Sequence, residues 1–468
     1  MIRDMFTNHI APDGVFIKNK KNLFMKYVVL LFFLVAVAIA GVVSPLLIQY
    51  MATMGTHQPV VLTLFTLIVF LSVGWASNKL AEGTIFPSFS IMLLAGLLLH
   101  PAFAPSLGSN PDVALVVCTC IVIILVKEGG DFVERAIFTR IALSVVLIST
   151  IGCLITFVVL GYLISTLGLL EVKTGWMLAA VLCPTDPAAV VPILKGLVWK
   201  EENKHLADVA IAESASNDAF GAIVAGALSV YYVSVGEIPI ESTMILSGLV
   251  SQDNLFHLAT QLGFGLVAGV IGWYAMYRYE IYQSTRPQET TYDFAIVMVI
   301  PLVTYFLAEM FHGNGFLAAF ICGLLANYNH GNDSFHHTLH TLEVKIDSIG
   351  KPIVFMIVGA FVSPMDLWES IVPGLLISGL FILIVRPIAV FFSLFPVKGM
   401  TKNQKWFLCS VRETGVVAML LSMMMSIRFP EMKAILPITT WVVITTLVIL
   451  PPLTSWWARR LDLLEETA

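Results

Sequence analysis

The chain has 468 residues, 58% of them hydrophobic and only 12% charged, with a net charge of −5 and a mean hydropathy of +0.88. Soluble domains average about 25% charged residues, so this composition excludes a soluble globular protein and predicts an all-α polytopic membrane protein. The charges sit in separated loops, and no nucleic-acid partner is expected.

Residues 1–24 are basic, with Arg3, Lys18, Lys20 and Lys21 ahead of an apolar stretch at 25–49. Lysines, an apolar run and Ala38-Ile39-Ala40-Gly41 resemble a cleaved signal peptide. The positive region is long for one, however, and a retained span keeps the charge pattern consistent along the chain. The expectation is a cytoplasmic N-terminus followed by an extra transmembrane helix. Further apolar segments follow at 59–76, 86–104, 113–127, 138–168, 174–195, 206–234, 256–279, 293–311, 314–328, 346–366, 370–396, 405–426 and 434–457. That predicts about fourteen spans, since a helix needs about 20 residues to cross the hydrocarbon core. Gly and Pro interruptions in several of them predict broken helices, which lipid tolerates only where protein or a cavity satisfies the freed backbone groups.

Charge asymmetry supports the count. With the N-terminus cytoplasmic, most of the 26 Lys and Arg fall inside, whereas Lys173, Arg428 and Lys433 fall outside. The positive-inside rule predicts such an imbalance, so both termini, including a short tail at 458–468, are expected in the cytoplasm. Trp456-Trp457 before Arg459-Arg460 reads as an interfacial anchor. Two cations, Arg386 and Arg412, lie within apolar segments.

Two intramembrane clusters carry the chemistry. In 174–195, Cys183-Pro184-Thr185-Asp186-Pro187 places two prolines close together. Each removes a backbone donor, leaving the carbonyls of Ala180 and Cys183 without their helical partners. Asp186 precedes a Pro at a first-turn position, where it can cap a second half-helix and offset its dipole. In 206–234, Glu213-Ser214-Ala215-Ser216-Asn217-Asp218 lies mid-span. Residues four apart share a helix face, so Glu213 neighbours Asn217 and Ser214 neighbours Asp218. Intramembrane polar residues can serve only to glue helices together. Three carboxylates, two prolines, an amide and hydroxyls in successive spans are a more specific combination, and ionisable groups at membrane depth mark ion pathways.

Thr185-Asp186-Pro187 followed by Glu213-Ser214-x-x-Asn217-Asp218 resembles the paired signature of the sodium/proton exchanger branch of the monovalent cation:proton antiporters, over about residues 59–457. The resemblance implies inverted six-helix repeats, here 59–234 and 293–457, joined by a linker helix at 256–279. It also implies crossed broken helices in a core domain, a separate dimerisation or scaffold domain, and a homodimer. It makes Asp218 the carboxylate that holds either the cation or a proton, with Ser214, Thr185 and Asp186 beside it. Asn217, Glu213, Arg386 and Arg412 become a structural network, with Glu213 paired to Arg386 and Arg412 near the helix break. The 405–426 segment is the implied partner of the broken helix, although Arg412-Glu413-Thr414-Gly415 departs from the family's Arg-Gly pattern.

Burial disfavours a charged Asp and a nearby cation favours it, so proton and cation compete for one carboxylate. The expected function is exchange of Na⁺ or Li⁺ for H⁺ in a bacterial inner membrane. The same resemblance, with Asn rather than a second Asp before Asp218, implies electroneutral one-for-one stoichiometry. K⁺/H⁺ exchange is the alternative within the class, and a cation channel or a structural membrane protein outside it. No enzyme chemistry and no cofactor are expected; Na⁺ would meet Asp218 only as cargo. No G-x-x-x-x-G-K-S/T phosphate loop occurs, so transport is expected to run on ion gradients. His330, His336, His337 and His340 cluster at 329–345, and His336 and His340 are candidate pH sensors in what is otherwise a polar, His-rich loop. The six cysteines fall in apolar segments without metal-ligand spacing and are expected to be free thiols.

Overall fold

A computed structural model describes residues 20–53, 68–80 except 70 and 78, 88–109, 111–131, 135–284 except 237 and 239, 294–326, 346 and 349–465. Among these the chain is helical apart from turns and one isolated bridge between Trp199 and Leu464. The expected 25–49 span lies within a helix at Lys20–Thr53. The 86–104 and 113–127 segments become Ser88–Ser109 and Pro111–Asp131. The second of these is longer than its apolar core, because the helix continues through Lys127, Glu128 and the two glycines that follow. The 59–76 segment lies largely outside the described residues, and its described part is helical. The His-rich loop, with His336 and His340, lies wholly outside them.

Six helices among the described residues are long and apolar enough to cross a membrane by themselves, including Ile137–Thr166, Glu201–Val235, Gln252–Gln283, Ile371–Ser393 and Pro430–Arg460. Of the other expected spans, 59–76 lies largely outside the described residues, and the rest differ for a physical reason. Two expected spans are each divided into half-helices, Val172–Val181 with Pro187–Lys195 and Lys402–Cys409 with Val416–Arg428. Others are short apolar helices such as Gly315–Ala326 and Ile349–Phe361.

Proline alone does not explain the breaks. Pro45, Pro301, Pro451 and Pro452 all lie inside continuous helices. Pro387 is absorbed differently: it has no N–H to give Leu383, and the preceding Phe381–Val385 turn widens to a π-helix that keeps the 371–393 rod continuous.

The main core is built where the half-helices meet the His205–Val235 helix and the C-terminal Ile435–Arg460 helix. Close approach there depends on small residues. A Cβ on Gly221 would overlap the Pro184 ring, so the His205–Val235 helix lies directly against the first break. Trp176 packs edge-on to Phe157 at 5.1 Å and covers Gly161 of the neighbouring helix. The long Gln252–Ser284 helix instead leaves Phe256, Phe264, Val267, Ile271 and Tyr274 exposed, as a helix facing lipid should.

Candidate functional site

The first break runs from Leu182 to Asp186. Of the two carbonyls expected to lose their partners there, only one does. Ala180 O cannot reach an N–H on Pro184, yet it accepts from Cys183 N at 3.2 Å in a tightened last turn. Cys183 O is freed as expected, and the guanidinium of Arg412 fills the vacancy: its Nη2 donates to Cys183 O at 2.6 Å and to Leu182 O at 3.4 Å. Asp186 stands just ahead of the second half-helix, its carbonyl accepting from Val190 N at 3.3 Å.

The second break, Ser410 to Gly415, carries no proline and is held open from outside. Thr414 N donates to Thr446 Oγ1 at 3.2 Å, and Thr454 Oγ1 donates to Ser410 O at 2.7 Å. Both threonines belong to the Ile435–Arg460 helix and are fully buried. The half-helix leading into the break starts with a capping box, Thr401 accepting from Gln404 N and Gln404 accepting from Thr401 N. The two breaks touch through their main chains, Asp186 N donating to Glu413 O at 2.8 Å. Gly415 makes that contact possible. Its φ of −141° is open to any residue, but a Cβ there would collide with the Asp186 carboxylate. Gly415→Ala is therefore expected to cost about 1–3 kcal/mol through overpacking and to displace the Asp186 side chain. Thermal unfolding at the wild-type temperature would show that the contact yields freely.

The His205–Val235 helix presents its polar cluster to the first break. Asn217 Oδ1 accepts from Thr185 N at 2.9 Å, and Asn217 Nδ2 donates to Thr185 Oγ1 at 2.7 Å. Thr185 Oγ1 in turn donates to Ser214 Oγ at 3.0 Å. The amide is thus committed on both ends to holding the loop. Asp218, 4% exposed, keeps Oδ1 buried without any hydrogen-bond partner.

Glu213 and Arg386 are brought together by a bidentate ion pair, Nη1 to Oε1 at 2.5 Å and Nη2 to Oε2 at 2.8 Å. Arg386 also donates from Nη2 to Leu408 O at 2.9 Å and to Val411 O at 2.7 Å, which ties the pair to the end of the Lys402–Cys409 half-helix. Arg412 Nη1 stands 3.9 Å from Glu213 Oε1, and its guanidinium lies 5.2 Å from the centre of the Phe381 ring. Thr185, Asp186, Glu213, Ser214, Asn217, Asp218, Arg386 and Arg412 are all buried in this one region. Three participants have no place in the sequence reading: Thr446, Thr454 and the side chain of Glu413. The two threonines are eight residues apart on one helix, a spacing that keeps them near one face. Glu413 is a carboxylate in an apolar segment, the same signal that singled out the others.

All six cysteines are free. Among the described residues no group of three or more His, Cys, Asp or Glu is placed to hold a metal ion.

The transmembrane family model for sodium/hydrogen exchangers matches residues 80–460. Curated relatives include the K(+)/H(+) antiporter NhaP2 of Shewanella oneidensis, 26% identical over 387 residues, which cover 82% of this chain and 60% of that protein. Another is the K(+)/H(+) antiporter NhaP of Alkalimonas amylolytica, 24% identical over 372 residues, or 77% of this chain and 60% of that one. The chain thus spans about 60% of the length of these relatives. Among solved structures, the sodium proton antiporter MjNhaP1 of Methanocaldococcus jannaschii superimposes with a TM-score of 0.69 at 20% identity, covering 87% of this chain and 99% of that one. That likeness establishes the fold.

Proposed function

The chain belongs to the sodium/hydrogen exchanger family, and from that premise we propose that it exchanges a monovalent cation for protons across a membrane, with Asp218 as the group for which the two compete. The observation that carries this reading is the state of Asp218. Its neighbours are committed: Asn217 and Thr185 clamp each other, and Glu213 is neutralised by Arg386. The Asp218 carboxylate keeps a buried, unbonded oxygen one turn from the hydroxyl of Ser214. A buried carboxylate without a fixed counter-charge must take a proton or a cation, and one oxygen site cannot hold both. At Asp218 alone, the competition is one cation against one proton.

Ser214 and Thr185 supply neutral oxygens of the kind that hard cations prefer. Asp186 adds negative charge beside them. Asn217, Glu213, Arg386 and Arg412 hold the crossing in place. The organisation that goes with this reading has inverted repeats at 59–234 and 293–457, the 256–279 helix between them, and a core domain moving against a scaffold in a homodimer. It sets both termini in the cytoplasm of a bacterial cell. The placing of one broken helix in each repeat, joined by the Asp186–Glu413 backbone bond, supports it. Crossed half-helices at mid-membrane are also how secondary transporters build ion sites.

Na⁺ with Li⁺ is one cargo and K⁺ the other. The curated relatives are named as K(+)/H(+) antiporters and the solved structure as a sodium proton antiporter, so both stand. The test is proton movement in proteoliposomes with an internal pH dye on adding Na⁺, Li⁺ or K⁺ separately. Cation-driven alkalinisation or acidification is expected, and the order of the three rates names the cargo. No response to any of them from folded protein would overturn exchange in favour of a channel or a structural role.

A further inference from the structure

On the face proposed to meet the cytoplasm, three stretches of chain converge in a cluster of rings and cations that exchange at Asp218 does not use. They are the end of the Ile371–Ser393 rod, the start of the Lys402–Cys409 half-helix and the end of the Ile435–Arg460 helix. Lys405 Nζ donates to Leu394 O at 2.7 Å and joins the first two. Asn403 Nδ2 donates to Leu461 O at 3.5 Å and joins the second to the third. The rings make the same joins. Trp406 packs edge-on to Phe391 at 5.1 Å and stacks on Trp457 at 6.5 Å, and Trp457 meets Trp456 at 5.1 Å.

This cluster is open on one side. Trp406 is 43% exposed and Phe395 84%. The apolar surface continues along the rod through exposed Phe392, Leu383 and Leu376. Exposed cations border it: Lys398 and Lys402 on one flank, Arg459 and Arg460 on the other. Among the described residues none of these four forms an ion pair. The acids that follow them in the chain are engaged elsewhere, Asp462 with Lys200 at 2.7 Å and Glu465 beside Lys204.

Rings exposed in continuity with a lipid-facing surface are covered by acyl chains, and cations just beyond them stand at headgroup level. Basic pockets between helices on the cytoplasmic side suit acidic lipid headgroups, in the leaflet that carries a negative surface potential. A zwitterionic headgroup brings its own cation and gains little from four more. The geometry points to a binding site for an anionic phospholipid at this corner, with its acyl chains along the exposed rings and the rod and its phosphate among Lys398, Lys402, Arg459 and Arg460. Each of the three stretches also holds part of the crossing. Arg386 lies on the rod, the half-helix leads into the second break, and Thr446 and Thr454 hold that break open. A lipid bound across their ends braces the frame of the ion site from the membrane surface. The inference takes only the orientation from the function proposed above, and its test requires no transport.

The full chain in detergent is mixed with phosphatidylglycerol, with phosphatidylcholine of the same acyl chains, or with water-soluble glycerol phosphate, and thermal unfolding is read. Phosphatidylglycerol is expected to raise the unfolding temperature progressively with its concentration, and the other two much less. An equal rise with phosphatidylcholine would mean apolar covering alone, and an equal rise with glycerol phosphate a site for free anions; either overturns the assignment. Location is read from Trp fluorescence with brominated acyl chains, which quench on contact. Brominated phosphatidylglycerol is expected to quench more than brominated phosphatidylcholine, and Trp406→Phe with Trp457→Phe to remove the excess. An excess that survives those substitutions puts the lipid elsewhere and overturns the site. Lys402→Gln combined with Arg459→Gln and Arg460→Gln is expected to unfold as wild type without lipid and to lose the rise with phosphatidylglycerol. A rise retained in full would overturn the role of the cations. The wild-type and quenching readings decide the matter if the triple variant does not fold.

Discussion

Asp218→Asn is expected to reduce cation-driven proton movement to the rate of protein-free vesicles while the protein stays folded in the membrane. The substitution preserves shape and can still hydrogen-bond, but an amide cannot carry a negative charge and cannot take up a proton near neutral pH. Asp218 lies on an uninterrupted helix and supplies none of the bonds that hold either break open; those come from Asn217, Arg412, Thr446 and Thr454. Removing its charge should therefore leave packing nearly unchanged, or tighten it, because an uncompensated buried carboxylate is costly. The measurement is a pair: thermal unfolding in detergent and flux in vesicles. Wild-type flux in a well-folded Asp218→Asn protein would show that the exchanging carboxylate lies elsewhere.

The second large effect is on stability. Breaking a buried ion pair by removing one partner costs about 3–5 kcal/mol, because the other charge is left uncompensated. Glu213→Gln should lose an amount of this order, softened because Arg386 keeps the Leu408 and Val411 carbonyls as acceptors. Arg386→Met should lose more, since it strands Glu213 and two carbonyls together. The double substitution removes both charges and should recover part of the loss, giving a coupling energy of about 0.5–3 kcal/mol in a double-mutant cycle. Strictly additive losses would mean that the bidentate geometry contributes little.

The parts of this architecture that were legible in the sequence were those written in local chemistry. Pro184 and Pro187 flanking Thr185-Asp186 marked the first break, although Pro45, Pro301 and even the Pro451-Pro452 pair are absorbed by continuous helices, so it was the polar residues between the prolines that set this segment apart. The partnership of Glu213 with Arg386 was implied by the family resemblance, and the expense of stranding either charge in an apolar span is the physical reason it forms. The second break was less legible, because what opens it is not in its own segment. Thr446 and Thr454 reach it from 32 and 44 residues beyond their partners, and Arg412 acts on the other break rather than its own. Glu413 was visible as a departure from the family pattern, but the bond of its main-chain carbonyl to Asp186 N is made only in the folded chain. The rescue of Ala180 O by a tightened turn was illegible too, since proline chemistry predicts the lost bond and not its replacement.

The clamp between Asn217 and the first break has a consequence for how such a protein can change. One arm of the clamp grips Thr185 by its main-chain N–H, which every residue except proline offers, and only the other arm uses the threonine hydroxyl. With Thr185 proposed as a ligand of the cation, architecture and cargo choice are partly uncoupled at a single position. The side chain at 185 can be exchanged, altering the oxygens offered to an ion, while the amide of Asn217 continues to hold the loop by its backbone. A lineage could drift between cations there without first having to rebuild the crossing.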